Sequence, residues 1–295
     1  MKDGENIQQG GIYAATKRRL KNLDSPEKLE DEIKIMQRFG DFYARILQPS
    51  LEENSELRNC LIRITELQVT TSYPLLLRLF HAQEEGTISD GEFILCLGLI
   101  ESFVVRRAVC GVPANSLNKL FLQWAKTFPV QDHAKQLLNS MSAGSGGRRF
   151  PNDVEFSEAF TNQAQYGRGA TRFVLCRLEG AFDHKEPAAL GQATIEHILP
   201  QTLSNEWRTE LGENAERIHA KVADTFGNLT LTAYNAELGN LSFKVKKEKL
   251  ADTHIELNRW LLKQEHWGEE QINERAKQML KTAKSLWVSP ETIPF

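Results

Sequence analysis

The strongest constraint on the fold is a series of helical patterns between residues 12 and 140, without a convincing segment of period-2 alternation. The clearest helix start is Ser25-Pro26, because serine is a favoured N-cap and proline is favoured at the first helical position. Apolar residues then recur three and four positions apart from Leu29 to Ile46. The first half of the chain is therefore predicted to be all-helical.

Length and composition describe an ordinary globular chain rather than a basic nucleic-acid-binding one. The chain has 295 residues, enough for two domains, and its formal net charge is −3, so any nucleic-acid site must be a local patch. No run of 18 apolar residues is present, and the opening sequence MKDGENIQQG has no apolar signal-peptide core. The four cysteines lack metal-binding spacing, which predicts buried free thiols in a reducing cytoplasm.

A Gly/Ser-rich segment, SMSAGSGGRRFP at residues 140–151, gives the best domain boundary. It lacks the Gly-Lys-Ser/Thr ending of a phosphate-binding P-loop, so its composition favours a flexible linker. We therefore predict a helical domain at residues 1–140, a linker at 141–151 and a second domain at 152–295.

The pattern changes in the second domain. TIEHILP is a short strand candidate, GNLTLT is another, and a polar insertion separates them. A hairpin of these strands followed by a helix can bring four side chains together, namely Glu196, His197, Asn228 and Asn235. Carboxylate and amide oxygens suit one hard divalent cation such as Mg²⁺ or Mn²⁺. An imidazole can accept a proton from water at neutral pH.

Three strings in this region, IEHILPQ, FGNLTLT and NAELGNLSFKVKK, resemble the C-terminal HNH nuclease domain of the GmrSD-type modification-dependent restriction proteins. The upstream string LIESFVVRRAVCGVPANSLNKLF resembles the helical middle region of the same proteins. The resemblance implies a mainly α fold, with a helical N-terminal domain and a mostly helical domain containing a ββα-metal motif and a short β-hairpin. It also implies a divalent-metal-dependent DNA endonuclease or nickase of a prokaryotic anti-phage restriction system, located in the cytoplasm.

The resemblance assigns roles to individual residues. His197 matches the general base that activates water, and Asn228 matches the central asparagine that braces the catalytic histidine. Glu196 and Asn235 match two metal ligands, and Asn240 matches a position in the pattern that follows. Strand alternation leaves a second expectation for Glu196, a surface carboxylate on the outward face of its strand.

Basic residues on both sides of the motif predict a local DNA-binding patch. The candidates are Lys244, Lys246, Lys247, Arg168 and Arg172. The lysines alone fit a solvated helix face equally well.

The partners implied by the resemblance are DNA, modified phage DNA in particular, and a nucleotide-dependent ParB-like N-terminal domain or subunit. We expect that domain to be encoded outside this sequence, and we expect no membrane contact. The apolar helical faces are also compatible with a homodimer. Three other functions stay open: a phosphorothioation-linked DNA nickase of the same family, a non-catalytic helical adaptor that binds DNA or protein, and, as the weakest of them, an RNase.

Overall fold

The computed structural model describes residue 7 and residues 9–293, except for the side chains of residues 235 and 236. The protein is mainly helical and has one short antiparallel pair of strands, which confirms the predicted fold class. The helices and strands, in chain order, are α1 Ile12–Lys21, α2 Pro26–Leu47, α3 Ser55–Glu66, α4 Tyr73–Glu84, α5 Asp90–Val109, α6 Leu117–Lys126, α7 His133–Ser142, α8 Asp153–Asn162, α9 Thr171–Gly180, β1 Thr194–His197, α10 Asn205–Leu211, α11 Ala215–Val222, β2 Leu229–Thr232, α12 Asn235–Leu238, α13 Phe243–Lys249, α14 Glu256–Leu262 and α15 Glu269–Leu286.

The chain divides into two compact units. Unit 1 consists of Met1–Gly98 and Asn115–Ser140, and unit 2 consists of Leu99–Ala114 and Met141–Phe295. Unit 2 therefore includes a stretch of α5 that the sequence had grouped with the helical domain. Compactness alone does not show which segment folds independently, so the division into domains at residues 140 and 152 stays a prediction.

Unit 1 has an aromatic core between its helices. The Ser25 side chain caps α2 by accepting a hydrogen bond from the Lys28 amide, as the Ser-Pro start predicts. The Phe80 ring stacks on Phe42 with centroids 5.6 Å apart and meets Phe93 edge to face at 5.0 Å. These contacts join α2, α4 and α5 within the unit, because each ring lies on the apolar stripe of its helix.

The Gly/Ser-rich segment at residues 141–151 has a defined conformation rather than that of a free linker. The Arg107 guanidinium donates to the carbonyl oxygens of Gly147 and Arg149, at 3.0 and 2.9 Å. Phe150 is buried and packs edge to face on Phe103, with centroids 5.2 Å apart. An arginine can fix several carbonyl oxygens at once, so tertiary contacts here outweigh the flexibility that composition suggests.

The two strands lie in unit 2 and form an antiparallel hairpin, with Thr194 opposite Thr232 and His197 opposite Leu229. The hairpin, the segment after β1 and the helices around it share a buried apolar cluster that includes Leu199, Trp207 and Trp267. None of the helices in the described part of the chain is both long and apolar enough to cross a bilayer.

Candidate active site

Glu196 and His197 lie side by side at the end of β1. Because side chains alternate along a strand, the two residues point to opposite faces of the hairpin. Both are nevertheless buried, with 4% and 6% of their surface exposed. The expectation of a surface carboxylate at Glu196 is therefore wrong, because Lys246 of α13 covers the face of the strand on which Glu196 lies.

Glu196 forms a buried ion pair with Lys246 of α13. Lys246 Nζ donates to Glu196 Oε1 and to the carbonyl oxygen of His197, both at 2.6 Å, and Lys246 has no exposed surface. Burial raises the pKa of Glu196 and lowers the pKa of Lys246, and the attraction between the charges opposes both shifts. The ammonium holds both the carboxylate and the backbone at the end of β1. The predicted DNA contact of Lys246 does not agree with this position, because a fully covered ammonium cannot reach a phosphate.

The His197 imidazole meets two residues from other parts of unit 2. Its Nε2 lies 2.9 Å from Oδ1 of Asp224, which follows α11 and has a side chain that is 44% exposed. The Tyr166 ring packs against the imidazole edge to face, with centroids 4.4 Å apart. Burial lowers the pKa of His197, and the Asp224 carboxylate opposes part of that shift. The imidazole is therefore neutral at pH 7, which is the form that accepts a proton.

Asn228 braces the chain directly after β1. Its Nδ2 donates to the carbonyl oxygens of Leu199 and Ala223, at 2.8 and 2.7 Å. Its Oδ1 accepts from the Leu199 amide at 2.7 Å and from Trp267 Nε1 at 2.9 Å. The side-chain amide thus pairs with both polar groups of the Leu199 backbone, much as a neighbouring strand would, and keeps the segment after His197 in place.

The turn that carries Asn228 lies unusually close to α15. A Cβ atom at Gly227 would lie 2.1 Å from the carbonyl oxygen of Ile272, so only glycine fits this approach. Arg275 of α15 is buried and donates to the carbonyl oxygens of Gly227 and Leu229, at 2.8 and 2.7 Å. Burial lowers the pKa of Arg275 to about 9. The glycine and the arginine together fix the start of β2.

Apart from Lys246, the remaining residues of the predicted motif make no described hydrogen bond or ion pair with Glu196, His197 or Asn228. Asn235 begins α12, and its side chain lies outside the described residues. Asn240 and Lys244 are exposed. Lys247 is partly buried, and its ammonium donates to the carbonyl oxygen of Gln264. The structure therefore brings Glu196, His197 and Asn228 together at the hairpin end.

The two arginines predicted to bind DNA are hydrogen-bonded to backbone carbonyl oxygens. Arg168 Nη1 donates to the carbonyl of Ala108 at 3.1 Å. Arg172 is exposed, and it donates to the carbonyls of Ala193 and Leu190 at 3.2 and 2.7 Å. Arg172 thereby holds the segment that leads into β1. Contact of either arginine with DNA stays a prediction.

The predicted metal site finds little support in the described side chains. Among them, no group of three or more His, Cys, Asp and Glu residues could hold a metal ion. Of the predicted ligands Glu196 and Asn235, Glu196 is neutralised by Lys246, so a cation would have to displace a buried ammonium to reach it. The donor set described for this site therefore does not fit the predicted ion.

Sequence reasoning missed two residues that hold this site. Asp224 lies 27 residues from His197 and forms no spacing motif with it, so only the folded chain shows the pair. Arg275 did leave a signal: it lies three residues after Ile272, on the apolar face of α15, where a charged residue is unusual.

A comparison with protein families gives a match in this part of the chain. A family model described as "GmrSD restriction endonucleases, C-terminal domain" matches residues 150–282, which include both strands and the residues around His197. No curated protein matches the chain. The family match confirms the resemblance of the C-terminal strings and supports a nuclease of the restriction endonuclease type. The resemblance of the upstream string to the helical middle region stays a prediction. Residues 150–282 are similar to the C-terminal domain of GmrSD restriction endonucleases.

Proposed function

We propose that this C-terminal domain is an HNH-type endonuclease that hydrolyses phosphodiester bonds in DNA, with His197 as the general base. The observation that carries the proposal is the buried His197 imidazole 2.9 Å from the Asp224 carboxylate, at the end of a hairpin in the region that matches a restriction-endonuclease domain, and burial lowers its pKa. A base that is neutral at pH 7 is ready to take a proton from water.

The chemistry assigned to His197 is a single proton transfer coupled to attack on phosphorus. The imidazole accepts a proton as the water oxygen forms a bond to phosphorus. The bond between phosphorus and the leaving sugar oxygen breaks, and that oxygen takes up a proton from solvent. The Glu196–Lys246 pair and Asn228 hold the backbone on both sides of His197, so the imidazole keeps its orientation during the step.

The proposal includes one divalent ion, Mg²⁺ or Mn²⁺, on the strength of the resemblance. Such an ion supplies stabilisation of the negative charge that develops on the phosphate. No described residue is assigned to hold it, and no proton transfer depends on it here.

The biological setting of the proposal also comes from the resemblance. It comprises cleavage of modified phage DNA in the prokaryotic cytoplasm, together with a ParB-like, nucleotide-dependent sensor domain or subunit and a possible homodimer. Exposed Lys244 and Arg172 are proposed to face the DNA. A phosphorothioation-linked nickase remains the variant of this function that differs in the DNA modification it senses.

Nicking of supercoiled plasmid DNA tests the proposal. The wild type, His197→Ala and the matched control His254→Ala are compared with Mg²⁺, with Mn²⁺ and with EDTA, and a structured RNA is included as a parallel substrate. His254 is exposed, so its removal leaves the hairpin intact. We expect His197→Ala to lower the nicking rate by about 10²- to 10⁴-fold, because it removes the general base.

Each outcome of this assay has a different meaning. Equal nicking by the wild type and His197→Ala, at matched concentration, contradicts the role of His197. Cleavage of RNA in preference to DNA contradicts the substrate. A folded wild type that cuts neither nucleic acid, with either metal, favours the non-catalytic adaptor instead.

A further inference from the structure

We infer that Asp224 is a positioning residue that fixes the tautomer of His197, so that Nδ1 is the nitrogen that accepts the proton. This inference rests on the proposed role of His197 as general base. Asp224 lies outside the motif that carries the resemblance, and its function follows from four features of its surroundings.

The first feature is the rigid mounting of the Asp224 backbone. Its carbonyl oxygen accepts hydrogen bonds from the amides of Gln165 and Tyr166, at 2.7 and 3.2 Å. Gln165 is buried, and its side-chain amide donates to the carbonyl oxygens of Ala159 and Val109, at 2.9 and 3.2 Å. The turn that carries Asp224 is thereby tied to two other segments of unit 2.

The second feature is that the backbone hydrogen bonds to Asp224 link the two residues that contact the imidazole, Asp224 and Tyr166. Tyr166 donates its amide to Asp224, and its ring packs against His197 at 4.4 Å. The ring limits rotation of the imidazole, while the Asp224 carboxylate lies 2.9 Å from Nε2. The ring that limits rotation of the imidazole and the carboxylate that pairs with Nε2 are therefore joined to each other by a backbone hydrogen bond.

The third feature is the direction of the hydrogen bond. An ionised carboxylate only accepts hydrogen bonds, so its neutral histidine partner must carry the proton on Nε2. The lone pair then lies on Nδ1. None of the described residues is hydrogen-bonded to Nδ1, which leaves that atom available for water.

The fourth feature is the exposure of the carboxylate. The Asp224 side chain is 44% exposed, whereas the neighbouring ion pair of Glu196 and Lys246 is buried. Exposed carboxylates contribute little to folding, so loss of this one changes the imidazole more than it changes the fold. The effect of Asp224 on catalysis can therefore be separated from an effect on stability.

Histidine tautomers can be measured directly by ¹⁵N NMR, because protonated and unprotonated ring nitrogens differ widely in chemical shift. The experiment compares ¹⁵N-histidine-labelled wild type, Asp224→Asn and the matched exposed control Asp252→Asn at neutral pH, with melting temperature and plasmid nicking measured on the same samples. His197→Ala identifies the His197 signals.

We expect His197 in the wild type to carry its proton on Nε2. In Asp224→Asn the carboxamide can donate to Nε2, so a large share of His197 moves to the Nδ1–H form. The nicking rate then falls by about 10- to 100-fold, as is usual when the partner that orients a functional histidine is lost. The melting temperature stays within about 2 °C of the wild type. Asp252→Asn changes none of these quantities.

Three results would overturn the inference. They are an Nδ1–H tautomer in the wild type, an unchanged tautomer in Asp224→Asn, and loss of Mn²⁺ binding in Asp224→Asn with the tautomer intact, which would make Asp224 a metal ligand. Because the NMR signal does not depend on turnover, failure of the general-base proposal in the His197→Ala assay remains distinguishable from failure of the role of Asp224.

Discussion

Glu196 and His197 are neighbours in β1, yet the strand gives them opposite surroundings. On one face, Glu196 meets Lys246, a lysine with no exposed surface. On the other face, His197 meets Asp224 and Tyr166, whose exposures are 44% for the aspartate side chain and 42% for the tyrosine. The first face is closed to water, and the second is open beside a buried imidazole.

The two faces also differ in what their charged groups can do. A closed ion pair adds little net stability, because desolvation of both charges offsets their attraction, but losing one partner is costly. A neutral histidine beside a half-exposed carboxylate can exchange protons with its surroundings. The closed face therefore fixes the strand, and the open face holds the proposed general base.

Among the variants that test this comparison, Lys246→Met is expected to have the largest effect, which is a loss of stability. Methionine replaces the aliphatic part of the lysine side chain but leaves the Glu196 carboxylate buried without its ammonium. We expect the free energy of unfolding to fall by about 3–5 kcal/mol. Urea or thermal unfolding at neutral pH measures the loss.

Two further variants show whether burial of the Glu196–Lys246 pair causes the loss of stability. Lys244→Met makes the same substitution two residues away at an exposed site, and it is expected to change stability by no more than about 0.5 kcal/mol. The double variant Glu196→Gln with Lys246→Met removes both charges and is expected to recover much of the lost stability. If Lys246→Met lowers the free energy of unfolding no more than Lys244→Met does, the result contradicts a buried ion pair on this face.

The open face and the closed face were not equally accessible to sequence reasoning. The hairpin that carries His197 could be predicted, because period-2 alternation is a local pattern that can be recognised in the sequence itself. The helices of unit 1 were predictable for the same reason, through their apolar spacing.

The partners of the two faces could not be predicted, because they are defined by tertiary contact. Lys246 lies 50 residues from Glu196, and its sequence context is that of a basic, solvated helix. Asp224 lies 27 residues from His197 in a polar insertion. Sequence spacing gives no distance between such residues, so a lysine predicted to bind DNA is in fact the internal counter-ion of the strand.

The pH dependence of nicking sharpens the description of the open face. Because burial lowers the pKa of His197, the imidazole loses its proton below the ordinary histidine pKa of about 6.5. The midpoint of the acid limb of the rate profile is therefore expected below about 6.5. Asp224→Asn is expected to move the midpoint lower still, because the Asp224 carboxylate opposes the shift caused by burial.

The same pKa shift affects stability with a definite sign. The unfolded chain binds a proton at His197 more readily than the folded chain does. Above the unfolded-state pKa, His197 is neutral in both states, so its contribution to stability does not change with pH. Stability is then lost as the pH falls from that value through the lowered folded-state pKa. Unfolding curves of the wild type and His197→Gln across this window measure the contribution. Two results contradict the assignment of the acid limb of the nicking profile to His197. They are a midpoint above the ordinary histidine pKa, and loss of the limb to the same extent in His254→Gln.

Lys244→Ala is expected to have the smallest effect, and it completes the comparison of buried and exposed lysines. Lys244 is exposed on α13, so its removal should leave the free energy of unfolding unchanged. If Lys244 contacts a phosphate, the slope of log K against log salt concentration becomes shallower by about 0.9. Fluorescence anisotropy with duplex DNA at several salt concentrations measures that slope.

The matched control for this last variant is Lys277→Ala, an equal loss of charge at an exposed position on α15. We expect its salt slope to equal that of the wild type. An equal change in both variants contradicts a local patch, because it shows a response to total charge alone. With the expected result, Lys246 controls stability and Lys244 controls salt-dependent binding, although only two positions separate them in one helix. Burial, rather than membership of a basic cluster, then decides which lysine can meet DNA.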